Sequence, residues 1–313
     1  MNSCFLFPGQ GSQSAFMGVE LLEISKNAKK IFECASDIFK EDFLKISKNA
    51  TEKELMSSKI VQPLIVATNL AAFYAVSEKG FVPDFLAGHS LGQYSSLFAA
   101  GVVSLEATFK ILKARILAIE NMPNNDDNGA NGMCAIIGAP LNVIKKACKE
   151  ASSFVVCANE NSPIQTVISG KISAINEVVA ALKNVAKKTV LLQVPNAFHS
   201  KLMEPAAKEF EEKIKDYTFN NAKIKIISNI TGKILKNEEI KSYLIKHLTS
   251  PVLFTTMLST LQKNNVQLFI ELGNGRTLSG LVRKTLKNVE IYNVNNKSTF
   301  STTYSYLKAN FNI

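Results

Sequence analysis

The chain has 313 residues, 46% of them apolar and 20% charged, and a formal charge of +10. That hydrophobic content is ample for large cores, and the length suggests about two domains of ordinary size. The charge lies on lysines spread along the chain, with no basic block interleaved with aromatics, which argues against a nucleic-acid binder.

In chain order, residues 4–7 form a short apolar strand that runs into Pro8-Gly9-Gln10-Gly11. It is too short, and too soon interrupted, for a secretory signal or a membrane span. A Gly-Gln-Gly loop after a strand presents main-chain N–H groups that can hold a developing oxyanion, unless it is a plain glycine-rich turn. No Gly-Lys-Ser/Thr follows, so it is not a phosphate-binding P-loop. Helical segments with lysine-rich polar faces occupy 18–80.

Residues 84–87 follow Pro83 and read as a buried strand, and 91–100 read as a helix stopped by Gly101. Between them stands Gly88-His89-Ser90-Leu91-Gly92. Glycines two positions either side of a serine let backbones approach closely at a sharp strand-to-helix turn, the nucleophile elbow pattern. The N–H of Leu91, directly after the serine, is then a second oxyanion donor beside the Gln10 loop.

A serine hydroxyl needs a base. The three histidines are His89, His199 and His247. His89 adjoins the serine on a tight turn and points away from it. His199 follows an apolar strand at 189–194 and the Pro195 break, in the kind of loop where catalytic groups sit. His247 lies in a helical run before Ser250-Pro251. His199 is the favoured base. Among 36 basic residues the arginines are Arg115, Arg276 and Arg283. Arg115 lies in a helix capped by Ser104, with Ile111, Leu112, Ala118 and Ile119 as its helix neighbours. A guanidinium in that setting wants a carboxylate or phosphate, either a protein Asp or Glu, the usual case, or a group of a substrate.

Residues 121–131 have the Asn, Asp, Gly and Pro content of a linker. Beyond it come a strand at 133–137, a helix at 141–151, strands at 154–158 and 165–169, a helix at 172–186 and a strand at 190–194. That is βαββαβ, a small ferredoxin-like unit at 125–195. Further strands at 224–228, 268–271 and 290–294 alternate with helices. Residues 1–124 and 196–313 therefore form a large α/β domain, α/β-hydrolase-like, with a mainly parallel sheet. Cys4, Cys34, Cys134, Cys148 and Cys157 contain no CxxC pair and leave an odd count, which fits a reducing cytosol rather than disulfides or a zinc site.

FPGQGSQ, GHSLG, the arginine 25 residues beyond the serine, NAFHSKLM and ELGNGRTLSGL, in this order, resemble the malonyl-CoA:acyl-carrier-protein transacylases of bacterial fatty-acid synthesis. The resemblance runs from Cys4 to about Val294. It implies a cytoplasmic enzyme that needs no metal or redox cofactor, with malonyl-CoA and holo acyl carrier protein as partners. By position it implies that Ser90 is acylated, His199 is its base, and Gln10 and Leu91 supply the oxyanion N–H groups. Arg115 would pair with the malonyl carboxylate, and Gln62 and Asn161 would line the pocket. Phe198 before His199 resembles the malonyl-selective form of related polyketide loading domains, where a ring would crowd a branch methyl.

Four positions depart from the family pattern: Gln93 for glutamate, Glu160 for an apolar residue, Asn274 for proline, and His247 for the glutamine that orients the catalytic histidine. If the orienting acceptor is the main-chain carbonyl of His247, that last change is neutral. If it is the side chain, it is not. Two rival readings are a serine esterase using Ser90, Asp216 and His247, and a non-catalytic module that binds a carrier protein.

Overall fold

Two separate sheets organise the chain in a computed structural model that describes residues 1–51, 53–122, 130–194 and 196–313. The strands are β1 (Asn2–Phe7), β2 (Phe85–Gly88), β3 (Asn131–Ile137), β4 (Val155–Ser162), β5 (Gln165–Lys171), β6 (Lys188–Leu191), β7 (Lys225–Ile226), β8 (Val266–Leu272) and β9 (Glu290–Val294). The helices are α1 (Ala28–Phe39), α2 (Phe43–Asn49), α3 (Ser58–Ser77), α4 (Gly92–Ala99), α5 (Leu105–Glu120), α6 (Leu141–Glu150), α7 (Ile172–Ala181), α8 (Glu204–Lys213), α9 (Ile240–Lys246), α10 (Phe254–Lys263), α11 (Thr277–Thr285) and α12 (Lys297–Asn310).

The first sheet has the order β7-β2-β1-β8-β9 and every pairing in it is parallel. Its central strands read as continuous apolar runs because helices cover both faces, so alternation has no advantage there. Phe5 and Phe7 join the core on one side, and Cys4, Leu6 and Phe269 join the core on the other. The helix α3 is long and apolar enough to cross a membrane by length and composition, yet 78% of that stretch is buried inside the fold. Its burial lets it carry Gln62, Thr68 and Asn69 as interior polar groups.

The second sheet is antiparallel in the order β4-β5-β3-β6, with α6 and α7 packed over a core of its own. This is the expected βαββαβ arrangement. Its expected ends, Asn125 and Pro195, and most of the linker at 121–131 lie outside the described residues.

The strand expected at 224–228 is reduced to Lys225–Ile226, and two further shifts bear on the cavity. The last strand of the small unit pairs only over 188–191, at an exposed edge, and Leu192 and Val194 turn away to line a cavity. Their apolar character answers to that cavity rather than to the sheet. The strand β4 runs on to Ser162, with register shifts between Cys157 and Asn159 and between Glu160 and Ser162. Such irregularities re-aim side chains, and here both Asn159 and Asn161 line the same cavity.

Candidate active site

The site begins where β2 turns into α4. A Cβ at Gly88 would lie 2.2 Å from the Gln93 nitrogen, and one at Gly92 would lie 1.9 Å from the Phe7 carbonyl oxygen. Only glycine fits at either place, which is the steric basis of the pattern around Ser90. Ser90 itself holds φ at 49°, in the left-handed region that non-glycine residues avoid. His199 does the same at 59°. Strained backbone of this kind persists where the surroundings over-determine it, and it clusters at active sites.

These two residues meet. Ser90 Oγ lies 2.7 Å from His199 Nε2. On the other side of the ring, Nδ1 lies 3.1 Å from the His247 carbonyl oxygen and 3.0 Å from that of Ser250. Both partners are acceptors, so Nδ1 carries the proton and Nε2 keeps its lone pair for the serine hydroxyl. The orienting group is therefore main chain, and the histidine at 247 is compatible with it. The His247 ring stands edge-on to His199 at 5.3 Å and directs its own Nε2 toward Asn229 Oδ1, 3.4 Å away. Asp216 is exposed. Among the described residues it forms no hydrogen bond or ion pair with His247, whose Nε2 faces Asn229 instead, so the serine–aspartate–histidine order of the esterase reading is not assembled.

Burial pushes the His199 pKa down to about 3, with the charge of Arg115 and then His89 adding to the effect. The two carbonyl contacts pull the other way. The imidazole is thus neutral, and able to accept a proton, across the physiological range.

The Gln10 loop packs directly on the elbow. A Cβ at Gly9 would lie 2.6 Å from the His89 carbonyl oxygen and 3.3 Å from the Leu91 nitrogen. Among the described residues, neither the Gln10 nor the Leu91 main-chain N–H has a hydrogen-bond partner. The loop is held from behind. Asn69 Nδ2 donates to the Pro8 carbonyl at 2.9 Å, and Asn274 Nδ2 donates to the Ser12 carbonyl at 2.5 Å. The asparagine at 274 therefore has a use that proline could not supply.

Arg115 is 3% exposed and projects from α5. Its guanidinium carbon lies 5.9 Å from the ring centres of both Tyr94 and Phe198. One terminal nitrogen donates to Gln62 Oε1, Gln62 Nε2 donates to Gln10 Oε1 at 3.4 Å, and Nε has no partner among the described residues. No carboxylate among the described residues pairs with this cation, and burial lowers its pKa. Of the two partners expected for it, the protein one is absent from the described residues.

A cavity of about 220 Å³ between the two sheets brings Gln10, Ser90, Arg115, Asn161, Phe198 and His199 together. Asn161 Oδ1 lies 2.7 Å from His89 Nε2, which ties the small unit to the elbow. Gln62 stands behind Arg115, the Leu91 nitrogen lies against the Gly9 loop, and the His247 carbonyl meets His199 Nδ1. Among the described residues no group of three metal-ligating side chains is present. Asn229 is a site residue that no local pattern marks, because an asparagine after an apolar run reads as an ordinary turn.

Residues 4–301 match the acyl transferase domain family. The chain belongs to that family. A malonyl CoA-acyl carrier protein transacylase of Bacillus subtilis is 35% identical over 311 residues, which covers 97% of this chain and 96% of that relative. Among solved structures, the acyl transferase resembles a malonyl CoA-acyl carrier protein transacylase from Clostridium perfringens. That likeness has a TM-score of 0.92 and 30% identity and covers 99% and 98% of the two chains. A malonyl-transacylase in complex with a holo type II PKS acyl-carrier protein is similar with a TM-score of 0.91 and 30% identity, covering 98% of this chain and 100% of that one.

Proposed function

We propose that this acyl transferase moves malonyl from malonyl-CoA to the phosphopantetheine thiol of acyl carrier protein, by way of malonyl-Ser90. His199 Nε2 takes the hydroxyl proton as Ser90 Oγ attacks the thioester carbon. The tetrahedral oxyanion rests on the N–H groups of Gln10 and Leu91, donors beside the nucleophile that have no partner among the described residues. The protonated His199 returns its proton to the departing CoA thiolate. The carrier thiol then attacks the malonyl-serine in the reverse sequence, with His199 again as base.

The observation that carries the choice of malonyl is Arg115, a buried cation with no carboxylate partner among the described residues, facing the same cavity as the serine–histidine pair. A malonyl carboxylate would pair with its fork and cancel part of the field that depresses His199. The base would then strengthen as the substrate binds. The Phe198 ring, 5.9 Å from the guanidinium carbon, would crowd a branch at the α-carbon. We assign residues 1–124 and 196–313 to the catalytic domain, 125–195 to the inserted unit, and the protein to the cytoplasm, in keeping with five free cysteines.

Incubation with malonyl-CoA followed by intact and peptide mass spectrometry tests the proposal. A malonyl adduct on the Ser90 peptide, discharged by holo carrier protein, is the expected result. Turnover to free malonate with no carrier product would indicate an esterase, and the absence of any adduct would indicate a non-catalytic module.

A further inference from the structure

The turn that carries Ser90 is held by a network of main-chain and side-chain hydrogen bonds. From Gly88 to Gln93, every main-chain N–H but one has a partner among the described residues. Gly88 donates to Gln93 Oε1 at 3.1 Å, His89 to the Phe7 carbonyl at 2.9 Å, and Ser90 to Asn229 Oδ1 at 2.8 Å. Gly92 donates to the His89 carbonyl at 3.0 Å and Gln93 to the Ser90 carbonyl at 2.9 Å. The N–H left over is that of Leu91.

Asn229 is fully buried, and its amide is used at both ends. While Oδ1 accepts from Ser90, Nδ2 donates to the Gly88 carbonyl at 2.6 Å and to Gln93 Oε1 at 3.0 Å. The same Oδ1 faces His247 Nε2, and the His247 carbonyl is one of the two that hold His199. One side chain therefore joins the nucleophile's turn to the segment that orients its base. Its own main chain is fixed in turn: its N–H donates to Tyr243 Oη at 3.2 Å, and its carbonyl accepts from Leu253 at 2.8 Å. Gln93 completes the frame by donating Nε2 to the Ile227 carbonyl at 3.1 Å.

The left-handed φ of Ser90 needs such a frame. Relaxation of the turn would break a buried hydrogen bond at Asn229, a loss that offsets the strain relieved. It would also carry Oγ away from His199 and change which N–H faces the cavity. We infer that Asn229, backed by Gln93, is a positioning residue for acyl transfer, whose amide aims Ser90 Oγ at His199 and leaves Leu91 N–H as the turn's one free donor. This rests on Ser90 being the nucleophile. Asn229 itself does not line the cavity, so it acts through Ser90 and not on substrate.

The test compares wild type with Asn229→Ala, Asn229→Asp, Gln93→Met and Gln93→Glu in single-turnover acylation by malonyl-CoA, with thermal melts and mapping of the Ser90 adduct. Per folded molecule, Asn229→Ala should acylate about 100-fold more slowly, the scale set by misplacing a reacting group by about 1 Å. KM for malonyl-CoA should stay within about threefold, because the interaction lost is not one that binds substrate. Asn229→Asp should be slowed similarly, since a carboxylate cannot donate to Gly88 and Gln93. Gln93→Glu keeps the acceptor and should lose less than Gln93→Met.

Wild-type acylation per folded molecule in both Asn229 variants, or an effect confined to KM, overturns the positioning role. If the Asn229 variants do not fold, the Gln93 pair decides, and equal rates for Gln93→Met and wild type overturn it. A wild-type protein that forms no Ser90 adduct fails at the earlier step and overturns the nucleophile assignment instead.

Discussion

The two ends of the cavity are built on opposite plans. At the Ser90 end, two amide side chains and several main-chain groups satisfy one another, and the N–H groups of Leu91 and Gln10, without partners among the described residues, are what remains for a ligand. At the Arg115 end, a buried cation has Gln62 as its hydrogen-bond partner, two aromatic rings beside it, and an unpartnered Nε among the described residues. The first arrangement is finished before substrate arrives, so it fixes geometry. The second is incomplete. A desolvated charge without its counter-ion is costly in the free protein, and that cost is relieved when a carboxylate binds. In the proposed reaction, preorganisation at one end serves rate, and deficiency at the other serves selection.

The largest expected effect breaks the finished end at its centre. Ser90→Ala should abolish both the malonyl adduct and transfer to carrier protein while the thermal melt stays cooperative, and retention of a stoichiometric adduct in that variant would falsify the nucleophile assignment. Next is the base. His199→Ala should slow acylation by about 10²- to 10⁴-fold, the usual contribution of a positioned general base, as measured by rapid-quench single turnover.

Arg115→Ala breaks the deficient end. Stranding a buried carboxylate without its partner costs roughly 2–5 kcal/mol, so malonyl transfer should fall by about 30- to 4,000-fold. Acetyl-CoA has nothing to strand, so its slow transfer should change little. Arg115→Lys should rescue poorly, because an ammonium cannot reproduce the fork. The malonyl-to-acetyl ratio of kcat/KM reads this directly, and an unchanged ratio would make the arginine structural. The contrast sharpens in stability. Arg115→Met should leave the melting temperature level or raise it, since it removes a buried charge that no carboxylate among the described residues compensates, whereas Asn229→Ala should lower it.

The smallest effect on rate is expected at His247→Gln, because the carbonyl that holds His199 survives the substitution and an amide can still donate to Asn229. Acylation should stay within a few-fold of wild type, and a loss comparable to that of His199→Ala would mean that the side chain matters. The variant should show more in its pH dependence. Burial lowers the folded-state pKa of His89, His199 and His247. The unfolded chain therefore takes up protons first as pH falls below about 6.5, and stability drops in that direction. The melting temperature should fall between about pH 6.5 and 5, and His247→Gln should flatten that fall.

The elbow was legible in the sequence because its constraints are local. Gly88 and Gly92 must lack a Cβ within a five-residue turn, and the apolar run before them must be a strand. Arg115 was legible because its helix neighbours at three and four residues are apolar. The small unit was legible in its element order, although its last strand was placed too late, since Leu192 and Val194 are apolar for the sake of a cavity and not a sheet. Asn229 was not legible. It sits 139 residues from Ser90, and its hydrogen bonds leave no trace in spacing or periodicity.

By itself, then, the sequence determined the chemistry available: a serine on a sharp turn, few histidines to activate it, a glycine-flanked loop, and one arginine in apolar surroundings. Each is a short-range consequence of sterics or helical periodicity. The tertiary structure decided which of these groups meet. Parallel pairing of β1 with β2 and β8 brings the Gln10 loop, the elbow and the Asn274 turn to one end of a sheet. The inserted unit closes that end with Asn161, and the segment at 247–250 fixes the proton of His199. It also decided that no protein carboxylate among the described residues reaches Arg115, because whether a buried charge is paired depends on packing across the whole fold and not on its neighbours in the chain.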